Sequence, residues 1–400
     1  MQDIEALAAA VRASPGLRNK APIAMVAEVF GGTDWVTGPG DDGALVGGDL
    51  VVGGEAIAPS FVARDPFGAG VAAVLANVND LAAMGAVPLA IVDTVVASAD
   101  VARLALEGMR EASRLYDVPV VGGHLTLHDG PPAISAFGLG RLAGGASSVL
   151  SVTRAAAGQR LVVAAVTEGT MRDDFPFFRS FAERGSRLAG DVRTLAEVAA
   201  DGACVAAKDV SMAGLLGSLG MLLEANRLGV TVDLDLLPTP AGADLTRWLT
   251  CFPCFAFLLC VPAGREDDCL VPFHARRIAA AVVGTLDGSG RVSVTSGGRT
   301  ATVLDLTSEA VTGLTGQKGV PVSQPETDTE ALRQQLLATD DHFAALAHEH
   351  ATHEARLAEL GAVRYPTVDE ELEEKTLKKM KLALKDEMEV VLRRHRENAG

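Results

Sequence analysis

The chain has 400 residues, 48% of them hydrophobic and 22% charged, with a formal net charge of −16. That acidity excludes a protein that grips a nucleic-acid backbone through clustered Lys and Arg, and the apolar runs are too short to cross a membrane as a helix. Aromatic content is only 4% against 42 glycines, so Ala, Val, Leu and Gly must fill a core large enough for about two or three domains.

Residues 1–11, MQDIEALAAAV, lack the basic start of a secretion signal. The odd set Cys204, Cys251, Cys254, Cys260 and Cys269 does not resemble a small secreted scaffold, so reduced thiols in a cytoplasmic protein are expected. Cys251-Phe-Pro-Cys254 has the spacing of half a zinc or redox motif. No second pair completes it, and it runs into the apolar stretch 255–261, so core packing is the expectation.

In chain order, residues 3–30 predict two short helices broken at Ser14-Pro15-Gly16. The loop Gly38-Pro39-Gly40-Asp41-Asp42-Gly43 then links Trp35-Val36 to a strand at Ala44-Leu45-Val46. Its glycines bring the backbone close to whatever the two carboxylates hold. A second short strand, Leu50-Val51-Val52, is expected to end in Gly53-Gly54-Glu55. In residues 67–86, Val71, Val74, Leu75, Val78 and Ala82 share one helix face. Gly70, Ala73, Asn77, Asp80 and Met84 line an adjacent stripe, where Asp80 needs either solvent or a cation as partner.

A strand at 88–96, a helix at 100–116, a strand at 118–121 opening into the turn Gly122-Gly123-His124, and a strand at 133–141 follow. This alternation predicts an α/β or α+β domain over 1–147, with a seam near Ala143-Gly144-Gly145. The second domain, 148–318, offers a strand at 160–166, a polar and aromatic loop at 168–175 that contains Arg172, a helix at 191–200 and a strand at 204–207. Lys208-Asp209-Val210-Ser211 then leads into a helix with Leu215, Leu216, Leu219, Leu222 and Leu223 on one face. Asp209 and Ser211 fall where N-cap groups belong, and free N–H groups there suit either plain capping or a phosphate.

After a Pro-, Ser- and Thr-rich linker at 319–329 the composition changes: residues 326–400 hold 17 acids, 11 bases and five of the eight histidines. Phe343, Leu346, His350, His353, Leu357 and Leu360 make one seam. Leu377, Met380, Leu384, Met388 and Val391 make a second, beyond a turn at Pro366. Residues 330–400 therefore read as an antiparallel helical hairpin, a surface suited to a protein partner. His342, His348, His350 and His353 have spacing that permits a metal, but without carboxylate partners in register either seam packing or a solvated surface is expected.

Four separated elements, Asp41-Asp42, Glu55, Asp80 and Asp209, place carboxylates at Gly-rich turns, strand ends or helix positions. Gathered by folding, they would make a hard oxygen site for Mg²⁺ and a nucleoside triphosphate. There is no GxxxxGK[ST] loop, no kinase HRD or DFG, and no GxSxG nucleophile.

The ordered motifs GPGDDGALV, DPFGAGVAAVLANVNDLAAMGAVP, VVGGHLTLHDGPPAISAFGLG and KDVSMAGLLGSLGMLLE resemble the AIR-synthase superfamily across about residues 20–315. The stretch from Asn77 to Gly85 is most similar to thiamine-monophosphate kinase, whereas Gly122-Gly123-His124 and the run from Asp209 look like selenophosphate synthetase. The resemblance implies a two-domain protomer that dimerises through N-terminal strands, with ATP and Mg²⁺ held at acidic loops. It matches Asp42 (with Asp41), Asp80 and Asp209 to metal-binding aspartates and Gly122-Gly123 to a glycine turn beside the nucleotide. Glu55 is added as a metal candidate, Gly40, Asn77 and Ser211 as nucleotide contacts, and Arg172 as a contact to a small-molecule substrate. His124 is read as a phosphate contact or proton carrier, or as a turn-stabilising residue.

Departures from the pattern matter. Gly53-Gly54-Glu55 stands where the kinase has a Ser/Thr-Thr-Asp run, His124 replaces a metal-binding Asp, and the N-terminal Cys/Sec and Lys motif of selenophosphate synthetase is missing. The chain looks most similar to AIR synthase-related proteins, and LKKMKLALKDEM in the hairpin resembles a family of small bacterial helical proteins. Three functions fit: a phosphotransferase acting on an oxygen or carbonyl group, a degenerate nucleotide sensor or scaffold, and an ATP-driven cyclo-ligase or dehydratase.

Overall fold

The computed structural model describes residues 3–33, 38–314 and 340–361, with 336, 377, 380, 381, 384 and 391 singly. Trp35 and Val36, the 319–329 linker and the turn at Pro366 lie outside the described residues. Two compact units, 1–318 and 319–400, make up the chain.

The N-terminal segment forms three helices, α1 (Ile4–Ala13), α2 (Pro15–Arg18) and α3 (Ala24–Phe30). Asp3 caps α1 by accepting from the Glu5 and Ala6 amides, and Pro15, which lacks an N–H, opens α2 at a position that needs none. A five-stranded sheet follows, built from β1 (Ala44–Val46), β2 (Leu50–Ile57), β3 (Ala86–Ala97), β4 (Val120–Leu127) and β5 (Ala133–Leu142) in the order β1-β2-β5-β3-β4. The β3–β4 pair is parallel and the others antiparallel.

Helices α4 (Pro59–Arg64), α5 (Pro66–Ala83) and α6 (Ala99–Tyr116) belong with this sheet. Val74, Val78, Ala105 and Met109 share a core with Ile91, Val95, Ile134 and Ala136, whereas the alternate residues Val92 and Phe137 are exposed. In β2, β5 and β3 one face is thus covered and the other bare, following period-two alternation apart from bulges in β3, whereas the edge strand β4 is exposed along almost its whole length.

Two expected breaks prove to be continuous strand. β2 runs on through Gly53-Gly54-Glu55, and Gly122-Gly123-His124 lies inside β4 rather than in a turn.

A seven-stranded sheet fills the second half: β6 (Arg160–Ala165), β9 (Ala206–Asp209), β10 (Gly229–Asp233), β12 (Ala256–Val261), β13 (Ala279–Asp287), β14 (Arg291–Ser296) and β15 (Arg299–Asp305). Three short strands, β7 (Thr170–Met171), β8 (Phe177–Arg179) and β11 (Phe252–Pro253), form a third sheet. The helices here are α7 (Phe181–Arg184), α8 (Leu188–Ala200), α9 (Gly214–Glu224), α10 (Leu245–Thr250) and α11 (Glu266–Ala275). Leu7, Ala8 and Val11 of α1 share a core with Val163, Leu216 and Val303, so the N-terminal helix packs with the second half of the unit. All five cysteines are buried and free, as core residues.

In the C-terminal unit, α12 (Asp341–Gly361) contributes Phe343 and Leu346 to a cluster with Leu336, Leu384 and Val391. The start of one helical arm thereby meets the end of the other, the antiparallel arrangement of a hairpin. Among the described residues, the histidines of α12 form no metal-holding group.

A candidate acidic centre

Asp42, Asp80 and Asp209, separated by up to 167 positions, each bring a carboxylate oxygen to one place, all within 4.8 Å of one another. Three different elements deliver them. Asp42 sits in the loop before β1, Asp80 near the C-terminal end of α5, and Asp209 closes β9. The loop is fixed by its other carboxylate: Asp41 accepts from the Val152 amide at 2.7 Å, tying residues 38–43 to the start of the second half. The Asp209 amide donates to the second Asp42 oxygen at 3.3 Å, while Asp209 Oδ1 is buried without a hydrogen-bond partner.

Lys208 was overlooked in the sequence. Its ammonium is 2% exposed and donates to Asp42 Oδ1 in a short ion pair. A lysine inside the run Cys204-Val-Ala-Ala-Lys208-Asp209-Val210 was the available signal, since a charge in a buried strand requires an opposite charge beside it.

The electrostatics follow from burial. Asp80 is pushed well above the usual carboxylate range by desolvation, then by Asp209, Asp42 and Glu55. Desolvation and Asp42 raise Asp209 to about 7. Glu55, whose side chain hydrogen-bonds Asp80, is raised by burial against the opposing pull of Lys20. Burial opposes the charge on Lys208, but Asp42, Asp209 and Asp80 outweigh it and its pKa lies above the ordinary lysine value. Asp41, raised to about 7 chiefly by desolvation, belongs to the same acidic neighbourhood.

These side chains fit a hard divalent cation. The four carboxylates Asp42, Glu55, Asp80 and Asp209 face the two ammonium groups of Lys208 and Lys20, leaving two negative charges when all are ionised. Oxygens on opposite sides of a Mg²⁺ ion lie about 4.2 Å apart at a bond length of about 2.1 Å, so the cluster closes on such an ion with small side-chain shifts. The unpartnered Asp209 oxygen is the group such an ion would satisfy.

The other sequence candidates take different places. Asn77 is fully buried and its amide donates to the Ala73 and Ala136 carbonyls, joining α5 to β5. Ser211 is not an N-cap: α9 begins at Gly214, whose φ of +72° favours glycine, and the Ser211 amide donates to the Ser218 hydroxyl. Gly122 and Gly123 pair with Val92 and Asp93 in the sheet, and a side chain on Gly123 would run into the Asp93 carboxylate at 2.3 Å. His124 is exposed opposite Thr94. Gly40 forms the turn that places Asp41 and Asp42. Arg172 pairs with Asp65 and Asp174, each at 2.8 Å, apart from the acidic cluster.

The fold and this centre define an α/β protein with two large sheets and a small third one, whose halves jointly hold a buried acidic cluster. Residues 40–142 match the family described as AIR synthase related protein, N-terminal domain, and residues 161–297 match its C-terminal domain. An uncharacterized protein of Synechocystis sp. is 35% identical over 283 residues, covering 69% of this chain and 87% of that protein. The chain belongs to the AIR synthase related family.

Residues 343–392, in the hairpin, match a family of unknown function, DUF465. Among solved structures, a chain of the HypE–HypF complex matches with TM-score 0.55 at 19% identity, over 70% of this chain and 99% of that one. Thermotoga maritima PurL complexed with ATP matches with TM-score 0.56 at 18% identity, over 69% of this chain and 47% of PurL. The chain thus spans about half of PurL, and these two likenesses show the fold.

Proposed function

We propose that residues 1–318 form an ATP- and Mg²⁺-dependent phosphotransferase that activates an oxygen or carbonyl group of a small molecule. The observation that carries this reading is the convergence of Asp42, Asp80 and Asp209 around a buried, unpartnered oxygen. PurL, of the same fold, has been seen complexed with ATP. A divalent cation at such a centre neutralises triphosphate charge and the charge that grows during phosphoryl transfer. Asp42, Asp80 and Asp209 would hold it, with Glu55 hydrogen-bonded behind Asp80. Lys208 offsets the cluster's charge when no cation is bound, and Lys20 adds a second positive charge near Glu55 and Asp209.

The bare face of the first sheet supports a second copy as partner. Val92, Val121 and Phe137 are between 40% and 62% exposed there, an apolar area that a monomer would leave in water. A cytoplasmic homodimer joined through this face is the proposed assembly, and the 330–400 hairpin is the proposed surface for another protein.

A second reading, a nucleotide sensor without turnover, is favoured by Lys208, which already supplies a cation to Asp42. Incubation with labelled ATP, Mg²⁺ and a pool of small metabolites separates the two. A phosphorylated product supports the phosphotransferase, a dehydrated or ring-closed product supports the ligase chemistry, and tight binding with no turnover supports the sensor.

A further inference from the structure

Six of the chain's 13 phenylalanines, Phe61, Phe67, Phe175, Phe177, Phe181 and Phe252, line a single cavity of about 240 Å³. In a protein with only 4% aromatic residues, that concentration is the unusual feature of the molecule outside the acidic centre. The cavity lies where the N-terminal half of α5 meets the short sheet of β7, β8 and β11. Its middle, near Val71, is nine residues from Asp80, roughly 13 Å along the helix at about 1.5 Å per residue.

One wall is a parallel stack: the Phe61 and Phe175 rings lie 4.8 Å apart at 3°, with the Arg64 guanidinium 5.7 Å from the Phe61 centroid. Elsewhere in the lining, Phe177 packs against Phe252 and Phe181 with centroids 5.5 and 6.0 Å away. Phe67 is 43% exposed, leaving a large apolar ring in contact with solvent. A flat aromatic guest in this cavity would meet several aromatic faces.

The charges select the guest further. Arg172 is held by Asp65, which also accepts from the Gly68 amide at the start of α5, and by Asp174, so its charge is spent within the protein. Arg179, also lining the cavity, is exposed and makes no ion pair among the described residues. A free guanidinium at an aromatic cavity, in a chain of net charge −16, is a local reversal of sign. It presents five donors to a planar or tetrahedral anion.

We infer that this cavity is a binding site for a planar aromatic small molecule that carries an anionic group. The ring lies between the Phe61–Phe175 stack and Phe177, and the anion reaches Arg179. The volume, below the roughly 300–1,000 Å³ of sites for drug-sized ligands, suits one or two fused rings. The site does not depend on whether the acidic centre holds a metal.

The test uses 1-naphthyl phosphate as the probe and the full-length protein, in calorimetric titrations. Binding is expected for the wild type. It should weaken about tenfold in Arg179→Ala, from loss of a charge-assisted hydrogen bond, and about tenfold in Phe175→Ala, from loss of ring contact. Neutral 1-naphthol should bind about tenfold more weakly than the phosphate. Arg179 is exposed, so its replacement leaves the fold intact, as an unchanged melting temperature verifies. No binding to the wild type overturns the proposal. So does equal binding by both variants, or weakening by Phe137→Ala in their place, which would put the probe on the bare sheet face. Magnesium binding, read separately, stands or falls with the acidic centre alone.

Discussion

Raising the pH from 5 to 7.5 without metal should destabilise residues 1–318, and Asp209→Asn should flatten that response. The Asp209 pKa rises from 3.8 to about 7 on folding, so between those limits the folded chain holds a proton that the unfolded chain has lost. Stability then falls as pH rises, by up to about 1.4 kcal/mol per pH unit for each such group. Asp41, also raised to about 7, contributes with the same sign, as does Asp80, for which the direction is upward.

Groups with the opposite shift do not interfere. Asp174 is lowered to about 2 by its Arg172 hydrogen bonds, so its contribution is constant above pH 5 and is lost only in acid. Lys208, raised, loses its contribution only in strong alkali. Urea unfolding at pH 5, 6, 7 and 7.5 in EDTA measures the slope. The variant's slope should be shallower by up to about 1.4 kcal/mol per unit, and saturating MgCl₂ should restore stability most at pH 7.5. Stability that is flat or increasing across this window in EDTA would refute the reasoning.

Lys208→Met should tighten Mg²⁺ binding in the absence of nucleotide by at least about tenfold, because it removes a cation that competes for Asp42; calorimetry reads this directly. Glu224 is a buried carboxylate that accepts from the Val311, Thr312 and Gly313 amides and the Thr312 hydroxyl. Glu224→Ala should lower stability by about 3 kcal/mol in denaturant titrations, by leaving those donors unpaired. Phe137→Lys, on the bare sheet face, should convert a dimer to a monomer in light scattering without changing the melting temperature of the monomeric unit.

What the sequence disclosed was local periodicity and charge out of place. The stripe through Val71, Val74 and Val78 placed α5, and Asp80 stood out beside it as a charge without a partner. Asp42 and Asp209 could be named but not joined, because their meeting depends on β9 and the 38–43 loop lying side by side, a contact across 167 positions. Glycine was misleading in two places. Gly53-Gly54 and Gly122-Gly123 read as strand ends because glycine has low β-propensity, yet pairing with β5 and β3 carries both strands through. Ser211 had the composition of a cap, but Gly214 takes the left-handed turn and the helix starts after it. The phenylalanines of the aromatic cavity come from both halves of the unit, and no local pattern announces their meeting.

The most direct test of the acidic centre is an anomalous difference map from crystals grown with Mn²⁺ in place of Mg²⁺ and a non-hydrolysable ATP analogue. One strong peak is expected about 2.2 Å from oxygens of Asp42, Asp80 and Asp209, with Lys208 withdrawn from Asp42. An empty cluster, or a peak bound by other residues, would contradict it.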